Sequence, residues 1–321
     1  MSVVIPAYNC QRTLPRCLSS LMAQTYPRAR FELIVVDDGS TDATAARALK
    51  AVRRWGGRFQ LVRQTNGGPA RARNAGIRAA RGEIVAFIDA DCTAERDWLQ
   101  QIAASLEAHA DAAGVGGPLE LRAAGSLVAS YLGTTAFYRH RLRRGQVDYL
   151  LTANAGFRRE ALRRVGGFAE EWGAWCEDAD LSFRLRDAGY SLLLAQEGGV
   201  SILEGPQSVR ALASKLFRYG HGSAVLSRRW GNGRSPAVEL LRHAGAVALS
   251  PALALRLAPR VGLGRALAFW PLIAVEHTAF VCGLAAGTLR GCWGGRRRGA
   301  GSAVSPGTAH AAGECGRAGA Q

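Results

Sequence analysis

The chain has 321 residues, 48% of them hydrophobic and 21% charged, enough for one large or two modest domains with a buried core, so wholesale disorder is excluded. Its seven cysteines (Cys10, Cys17, Cys92, Cys176, Cys282, Cys292 and Cys315) form no Cys-x-x-Cys pair and no cluster with any of the six histidines, which argues against a disulfide scaffold or zinc ribbon and fits reduced thiols on a cytosolic face. The net charge of +16 divides unevenly, 26 Lys+Arg against 22 Asp+Glu up to Glu204 and 15 against 3 from Gly205 onward, and this partition speaks against a nucleic-acid binder.

Ser2 to Ile5 reads as a short buried strand ended by Pro6, with no secretory signal before it, so a cytoplasmic chain is expected. Thr13 can cap a helix with Pro15 in its first turn, running to about Gln24. Phe31 to Val36 is a second strand, and Asp42 can cap a helix reaching about Trp55. A third strand at Gln60 to Val62, a helix from Pro69 to Ala80, a fourth strand at Ile84 to Ile88 and a helix from about Asp97 to His109 continue the alternation. This spacing predicts right-handed crossovers and an α/β, mostly parallel sheet with helices on both faces.

Such a sheet binds ligands beyond the carboxyl ends of its strands. Polar clusters fall there four times running: Pro6-Ala7-Tyr8-Asn9, Asp37-Asp38-Gly39-Ser40, Asn66-Gly67-Gly68-Pro69 and Asp89-Ala90-Asp91. Past Asp111 come a strand at Gly114 to Gly116, an amphipathic stretch from Ser126 to Arg143, and a short helix from about Arg159 to Val165 ended by Gly166-Gly167. Helices follow at Glu177 to Asp187 and, with basic character, at Ser208 to Trp230. Two apolar runs come next, Ala244 to Leu255 broken at Ser250-Pro251 and Ala266 to Leu289 broken at Pro271 and Glu276-His277. The Gly/Ala/Ser-rich end with Arg296-Arg297-Arg298 reads as disordered.

Asp89 and Asp91 follow the apolar strand that ends at Ile88, where two carboxylates can hold Mg2+ or Mn2+ and leave positions open for a diphosphate; in isolation such a pair would be a cap and a solvated acid. Asp37 and Asp38 could accept from a base N–H or a ribose hydroxyl, or merely form an Asx turn. Asn66 to Asn74 opens a helix with backbone N–H groups and two arginines, a phosphate-attracting arrangement that a glycine-requiring turn would also explain. Glu177-Asp178-Ala179-Asp180 begins a helix; its acids either answer the helix dipole or supply a base for an attacking hydroxyl. Trp172 and Trp175 could stack on a sugar face or belong to the core.

Taken in order, Pro6-Ala7-Tyr8-Asn9, Asp37-Asp38-Gly39-Ser40, the Asn66 to Gly76 segment, Asp89-Ala90-Asp91 and Glu177-Asp178 through Leu181 to Arg184 resemble the family 2 inverting glycosyltransferases of the GT-A fold, over about Met1 to Tyr219. The resemblance implies transfer of a sugar from a nucleotide diphospho-sugar, usually UDP-linked, with inversion at the anomeric carbon. It implies donor contacts from Pro6, Ala7, Tyr8, Asp37, Asp38, Asn66, Arg73, Asp89 and Asp91, and a divalent ion, Mg2+ or Mn2+, at Asp91 and Asp89. It makes Asp178 the catalytic base beside Glu177 and places Asn154 and Trp175 against the acceptor. Val200 to Pro206 lacks the histidine that many members carry there, leaving His221 as a weak substitute. Leu226-Ser227-Arg228-Arg229-Trp230 lacks the glutamine of the processive Gln-x-x-Arg-Trp pattern, which points to single-sugar addition, and Cys10 stands where an acid is common.

Two other classes compete with the transferase. A sugar-1-phosphate nucleotidyltransferase would need a Gly-rich, Lys/Arg-bearing loop after the first strand, which is missing, and a non-catalytic nucleotide-sugar scaffold would not need Asp89, Asp91, Glu177 and Asp178 together. The basic C-terminal third admits two explanations, since only Lys50 and Lys215 are lysines: a bias toward arginine, or contact with an anionic membrane. Ala266 to Leu289 is long enough to span a bilayer if Glu276 and His277 face protein or water. The favoured expectation is a re-entrant or interfacial helical pair, with Arg256, Arg260, Arg265, Arg290 and the triple arginine at the headgroups; two helices packed on the catalytic domain are the alternative. The expected division is a catalytic domain over 1–230, apolar membrane-associated helices over 231–293 and a tail over 294–321, at the inner face of the cell membrane with a lipid-linked or saccharide acceptor.

Overall fold

The computed structural model describes residues 1–122, 125–135, 142–143, 146–172, 176–231 and 236–294. In chain order its elements begin with β1 (Ser2–Ala7), α1 (Leu14–Met22), β2 (Glu32–Asp37), α2 (Thr44–Val52), β3 (Arg58–Arg63), α3 (Pro69–Ala79) and β4 (Ile84–Phe87). Then come β5 (Cys92–Ala94), α4 (Trp98–Ala108), β6 (Ala112–Gly116), β7 (Leu119–Leu121), α5 (Leu127–Thr134), β8 (Leu142–Arg143), β9 (Gln146–Val147), β10 (Ala155–Arg158) and α6 (Arg159–Arg164). The chain continues through α7 (Glu177–Asp187), β11 (Ser191–Leu194), β12 (Val200–Ile202), α8 (Val209–Trp230), α9 (Pro236–Ala248), α10 (Ser250–Leu255), α11 (Ala258–Val261) and α12 (Leu263–Gly294).

The main sheet has seven strands in the order β11-β6-β10-β4-β1-β2-β3. Its first four strands in sequence pair in parallel, with Val4 opposite Phe87 and Ile34, while β10 runs antiparallel between β4 and β6. Residues of β1 and β2 alternate between two buried faces. Val3, Ile5, Leu33 and Val35 meet α1 and α4 through Leu14, Leu18, Trp98 and Ile102, and Val4, Ile34 and Val36 meet α3, α6 and α7 through Ile77, Leu162 and Leu181. Phe87 sits edge-on to Phe157 and Phe168 at 6.0 and 5.3 Å; truncating it to alanine would cost about 3–5 kcal/mol. A second, three-stranded sheet has the order β5-β12-β7, with β5 following shortly after the carboxyl end of β4.

The helices behind this second sheet form a third core, in which Val128, Tyr131 and Leu132 of α5, Leu212 and Leu216 of α8, Ala254 of α10, and Phe269, Leu272 and Ile273 of α12 pack together. A division at residue 230 runs through this cluster. Here α8 and α12 touch backbone to backbone, because a Cβ on Gly220 would collide with the Phe280 carbonyl oxygen and one on Gly283 with that of Phe217. Tyr131 Oη donates to Glu276, and the rings of His243 and His277 meet at 2.8 Å.

Several expectations change at this level. Residues Ala266 to Leu289 are one unbroken helix that continues past Pro271, Glu276 and His277; packing against α8 holds the single bond proline removes. The run Ala244 to Leu255 belongs to α9 and α10, with α9 starting at Pro236. The amphipathic stretch after Ser126 is helical only to Thr134, residues 136–141 lie outside the described set, and Leu142–Arg143 is a strand paired with β9. The expected disordered tail lies outside the described residues from 295 onward.

Candidate active site

A cavity of about 360 Å³ opens at the carboxyl ends of the central strands, lined by residues from eight parts of the chain. Pro6 lies near the end of β1, which runs on to Ala7 rather than ending at the proline; Pro69 and Arg73 come from the first turns of α3; Asp89, Asp91 and Cys92 follow β4; Thr152 and Ala153 come from the single turn before β10; Cys176, Glu177 and Asp178 open α7; Glu204 follows β12. The parallel register of β1 with β4 sets Pro6 beside the turn that carries Asp89. Pairing of Ile202 with Cys92, extended by Leu203 N–H donating to the Asp91 carbonyl at 2.8 Å, brings Glu204 to the same wall.

Arg73 joins the two acidic walls. Its guanidinium donates to Asp89 Oδ1 at 2.9 Å and to Glu177 Oε1 at 2.7 Å, and it lies 5.7 Å above the ring of Phe168. Burial opposes its charge, but Asp89 and Glu177 outweigh that and raise its pKa. The carboxylates at 89 and 177 to 178 therefore share one cavity although the chain separates them widely. Glu177 is buried and its Oε1 is engaged by Arg73, whereas Asp178 is partly exposed, with Oδ1 accepting from the Ala179 N–H at 2.8 Å.

Although Asp178 is partly exposed as a residue, the protein packed around its carboxyl, then the charge of Glu177, pushes that carboxyl up to about 7. Burial and Asp89 push Asp91 up to about 6. The residue before this acidic pair, Cys176, has φ +66°, in a left-handed region that a non-glycine residue occupies under strain. That conformation turns the chain into α7.

Other expected residues lie beside the cavity rather than on it. Asp38 organises the loop into α3, accepting from Gln64 Nε2 at 2.7 Å, Gly67 N–H at 2.9 Å and Gly68 N–H at 2.8 Å. Asp37 accepts from Ser40 N–H and pairs with Arg63, and Asn66 donates to the Asp38 carbonyl. Ala7 is buried and Tyr8 is exposed at the neighbouring edge. Asn154, expected at the acceptor, is buried: it accepts from Trp98 Nε1 at 2.7 Å and donates to the carbonyls of Pro118 and Gly198. Its amide ties the sheet to α4, and Thr152 and Ala153 occupy the cavity wall instead. Trp175 lies outside the described residues, and His221 does not line the cavity.

Sequence reasoning missed Glu204, Lys215 and Tyr219. Lys215 and Tyr219 come one helical turn apart on α8, with Lys215 Nζ 5.7 Å from the Tyr219 ring centroid. Burial lowers the Lys215 pKa. Their signal was present: Lys215 is one of two lysines in a chain with 41 basic residues. The Arg229-Trp230 pair also has a structural task, since Trp230 Nε1 donates to Asp180 at 3.0 Å and Arg229 pairs with Asp180 and Glu171, fixing α7 against the end of α8.

A crossover-wound sheet with carboxylates, a buried arginine and a helix start around one cavity at its rim is the arrangement of a GT-A nucleotide-sugar transferase. The model of glycosyl transferase family 2 matches residues 2–166, and the chain belongs to that family. The glycosyltransferase AglE of Haloferax volcanii is 29% identical over 223 residues, which is 69% of this chain and 72% of AglE. The poly(ribitol-phosphate) β-N-acetylglucosaminyltransferase TarS of Staphylococcus aureus is 35% identical over 112 residues, 34% of this chain but 19% of TarS. Among solved structures, the mannosyltransferase PcManGT of Pyrobaculum calidifontis in complex with GDP-Man and Mn2+ superposes with a TM-score of 0.59 at 22% identity, covering 90% of this chain and 86% of that one. TarS 1-349 in complex with UDP gives 0.52 at 20% identity and covers 92% of each chain. At these identities the structural likeness establishes the fold.

Proposed function

We propose that this glycosyltransferase is inverting and moves one sugar from a UDP-linked donor to a hydroxyl of a lipid-linked or saccharide acceptor. The observation that carries this reading is the Arg73 bridge, which brings the Asp89 wall and the Glu177-Asp178 wall to one cavity. Asp178 is the base: its carboxylate takes the acceptor hydroxyl proton as that oxygen attacks the anomeric carbon. The bond from that carbon to the diphosphate breaks on the opposite face, so configuration inverts without a covalent enzyme intermediate. Glu177, through Arg73, sets the geometry of both walls and is a positioning residue. Donor contacts are proposed for Pro6 and Asp89 in the cavity and for Ala7, Tyr8, Asp37, Asp38 and Asn66 along its edge. Single addition is supported by the arginine and tryptophan at 229 and 230 being bound to Asp180.

The donor set fits a divalent ion. Asp89 and Asp91 offer hard oxygens at one wall, and burial together with their mutual repulsion raises the Asp91 pKa, a cost that a cation would remove. Mg2+ or Mn2+ held by Asp91 and Asp89 would supply charge stabilisation to the departing diphosphate.

The proposed location is the cytoplasmic face of the membrane, with docking at the interface. One helix among the described residues, Leu263–Leu289, is long and apolar enough to cross a bilayer, yet much of it packs along α8. Leu241, Leu249, Leu255, Leu263, Leu267 and Trp270 are exposed, beside exposed Arg256, Arg260 and Arg265, and no acid occurs from residue 240 to 275. Apolar side chains interleaved with arginine suit an anionic lipid surface.

The test is a panel of nucleotide sugars screened for metal-dependent thermal stabilisation, then for transfer. Turnover in the parent and its loss in Asp178→Asn with retained UDP binding is the expected result. No turnover across the panel would favour a binding scaffold.

A further inference from the structure

Resting on the transfer reaction proposed above, we infer that Lys215 is the phosphate-contacting residue of the cavity, delivered by α8 to the charged oxygens of a phosphate ester lying between the Asp89-Asp91 wall and Asp178. The lining carries five carboxylates (Asp89, Asp91, Glu177, Asp178 and Glu204) and two cations, Arg73 and Lys215. Lys215 lines the same cavity as Asp89, Asp91 and Asp178, where its charge offsets part of the acidic lining that an anion would otherwise meet. Lysine is a compact charge with three rotatable donors, suited to phosphate oxygens. In a chain that otherwise uses arginine almost throughout, a lysine at this position is notable.

The helix beneath Lys215 is held from three sides. Ser208 caps its start by accepting from Ala211 N–H at 3.2 Å. Trp230 at its end is bonded to Asp180 of the base-bearing helix. Between them, Gly220 rests against the α12 backbone. Lys215 and Tyr219 thus enter the cavity from a support whose far side is the apolar C-terminal unit. Two phosphate sources are compatible with this placement: the diphosphate of the donor, and the phosphate of a lipid-linked acceptor approaching from that unit.

The experiment compares the full-length parent with Lys215→Met and Lys215→Arg by calorimetry in Mn2+, using UDP, GDP, UMP and, separately, decyl phosphate below its micelle concentration. Loss of UDP and GDP affinity by about tenfold or more in Lys215→Met, with UMP nearly unchanged and Lys215→Arg partly restored, supports the inference and assigns the donor. Loss of decyl phosphate binding alone supports it and assigns the acceptor. No change with any probe, or equal losses for UMP and UDP, overturns it, since a purely structural lysine would not discriminate by phosphate number. Lys215→Gln replaces the methionine variant if that chain does not fold. Should the parent bind none of the four probes, the proposed transfer reaction itself falls, an outcome distinct from an unaltered variant.

Discussion

In the seven-stranded sheet, β-branched and leucine side chains fill both faces, and the polar residues are pushed to one rim, where they are buried, paired and electrostatically uncomfortable. Behind the second sheet, α8 and α12 approach so closely that glycine replaces side chains at their contact, and polar groups pair between helices as Tyr131 with Glu276 and His243 with His277. The first region places stability in its interior and chemistry at its edge. The second places closeness in its interior and leaves leucine, tryptophan and arginine outside. Substitutions should therefore separate the two: at the rim, activity falls while the fold persists, and at the helix contact, the fold suffers first.

The largest effect is expected for Asp178→Asn, a drop of about 10²–10⁴ in transfer rate measured at saturating donor and acceptor. In the parent, activity should fall as pH drops through about 7, because the base must be deprotonated and burial raises its pKa to that value. The asparagine variant should show no such limb. The sign for stability is opposite. A carboxyl whose folded pKa exceeds its unfolded value favours the native state at low pH, and that contribution is lost as pH rises toward 7. Asp178→Asn should consequently melt higher than the parent at pH 8, and a lower melting point would contradict the assigned burial.

Next in size is Arg73→Met, which strands Glu177 and Asp89 without their cation. A destabilisation of about 3–5 kcal/mol by denaturant titration is expected, with loss of activity. This is the one rim substitution that should break the fold as well, and an unchanged midpoint would mean the two walls do not depend on the bridge.

Gly283→Leu should cost about 1–3 kcal/mol or more, because its Cβ would press on the Phe217 carbonyl. Gly245→Ala, where nothing lies within 4 Å of the added carbon, should instead stabilise its helix by about 0.5–1 kcal/mol. Equal behaviour of the two would refute the backbone contact. The smallest effect is expected at the outer surface: Trp270→Ser should weaken sedimentation with anionic vesicles severalfold and leave transfer to a soluble acceptor unchanged.

The sequence revealed the sheet because apolar runs alternated with capped helices, and α7 begins and ends at the expected Glu177 and Asp187. It concealed β10, whose four residues Ala155–Arg158 carry no periodicity and become a strand only by slotting between β4 and β6. The acidic halves of the site were legible as motifs at strand and helix ends. The part Asp38 plays in the loop into α3 was hidden because its partners, the Gly67 and Gly68 N–H groups, come near only when β2 and β3 lie side by side. The structural task of Asn154 was hidden because the Trp98 ring nitrogen that donates to it lies 56 residues away. Lys215 stood out in the sequence only as one of two lysines, and its place on the cavity wall follows from α8 crossing the rim.

Arg73 has one further consequence. Since its two terminal nitrogens clasp opposite walls, an inhibitor whose anionic group drew the guanidinium aside would part the Asp89 turn from the start of α7 in one event. Such a compound need not imitate a nucleotide, so its selectivity would come from a clasp inside the enzyme rather than from a substrate that many enzymes share.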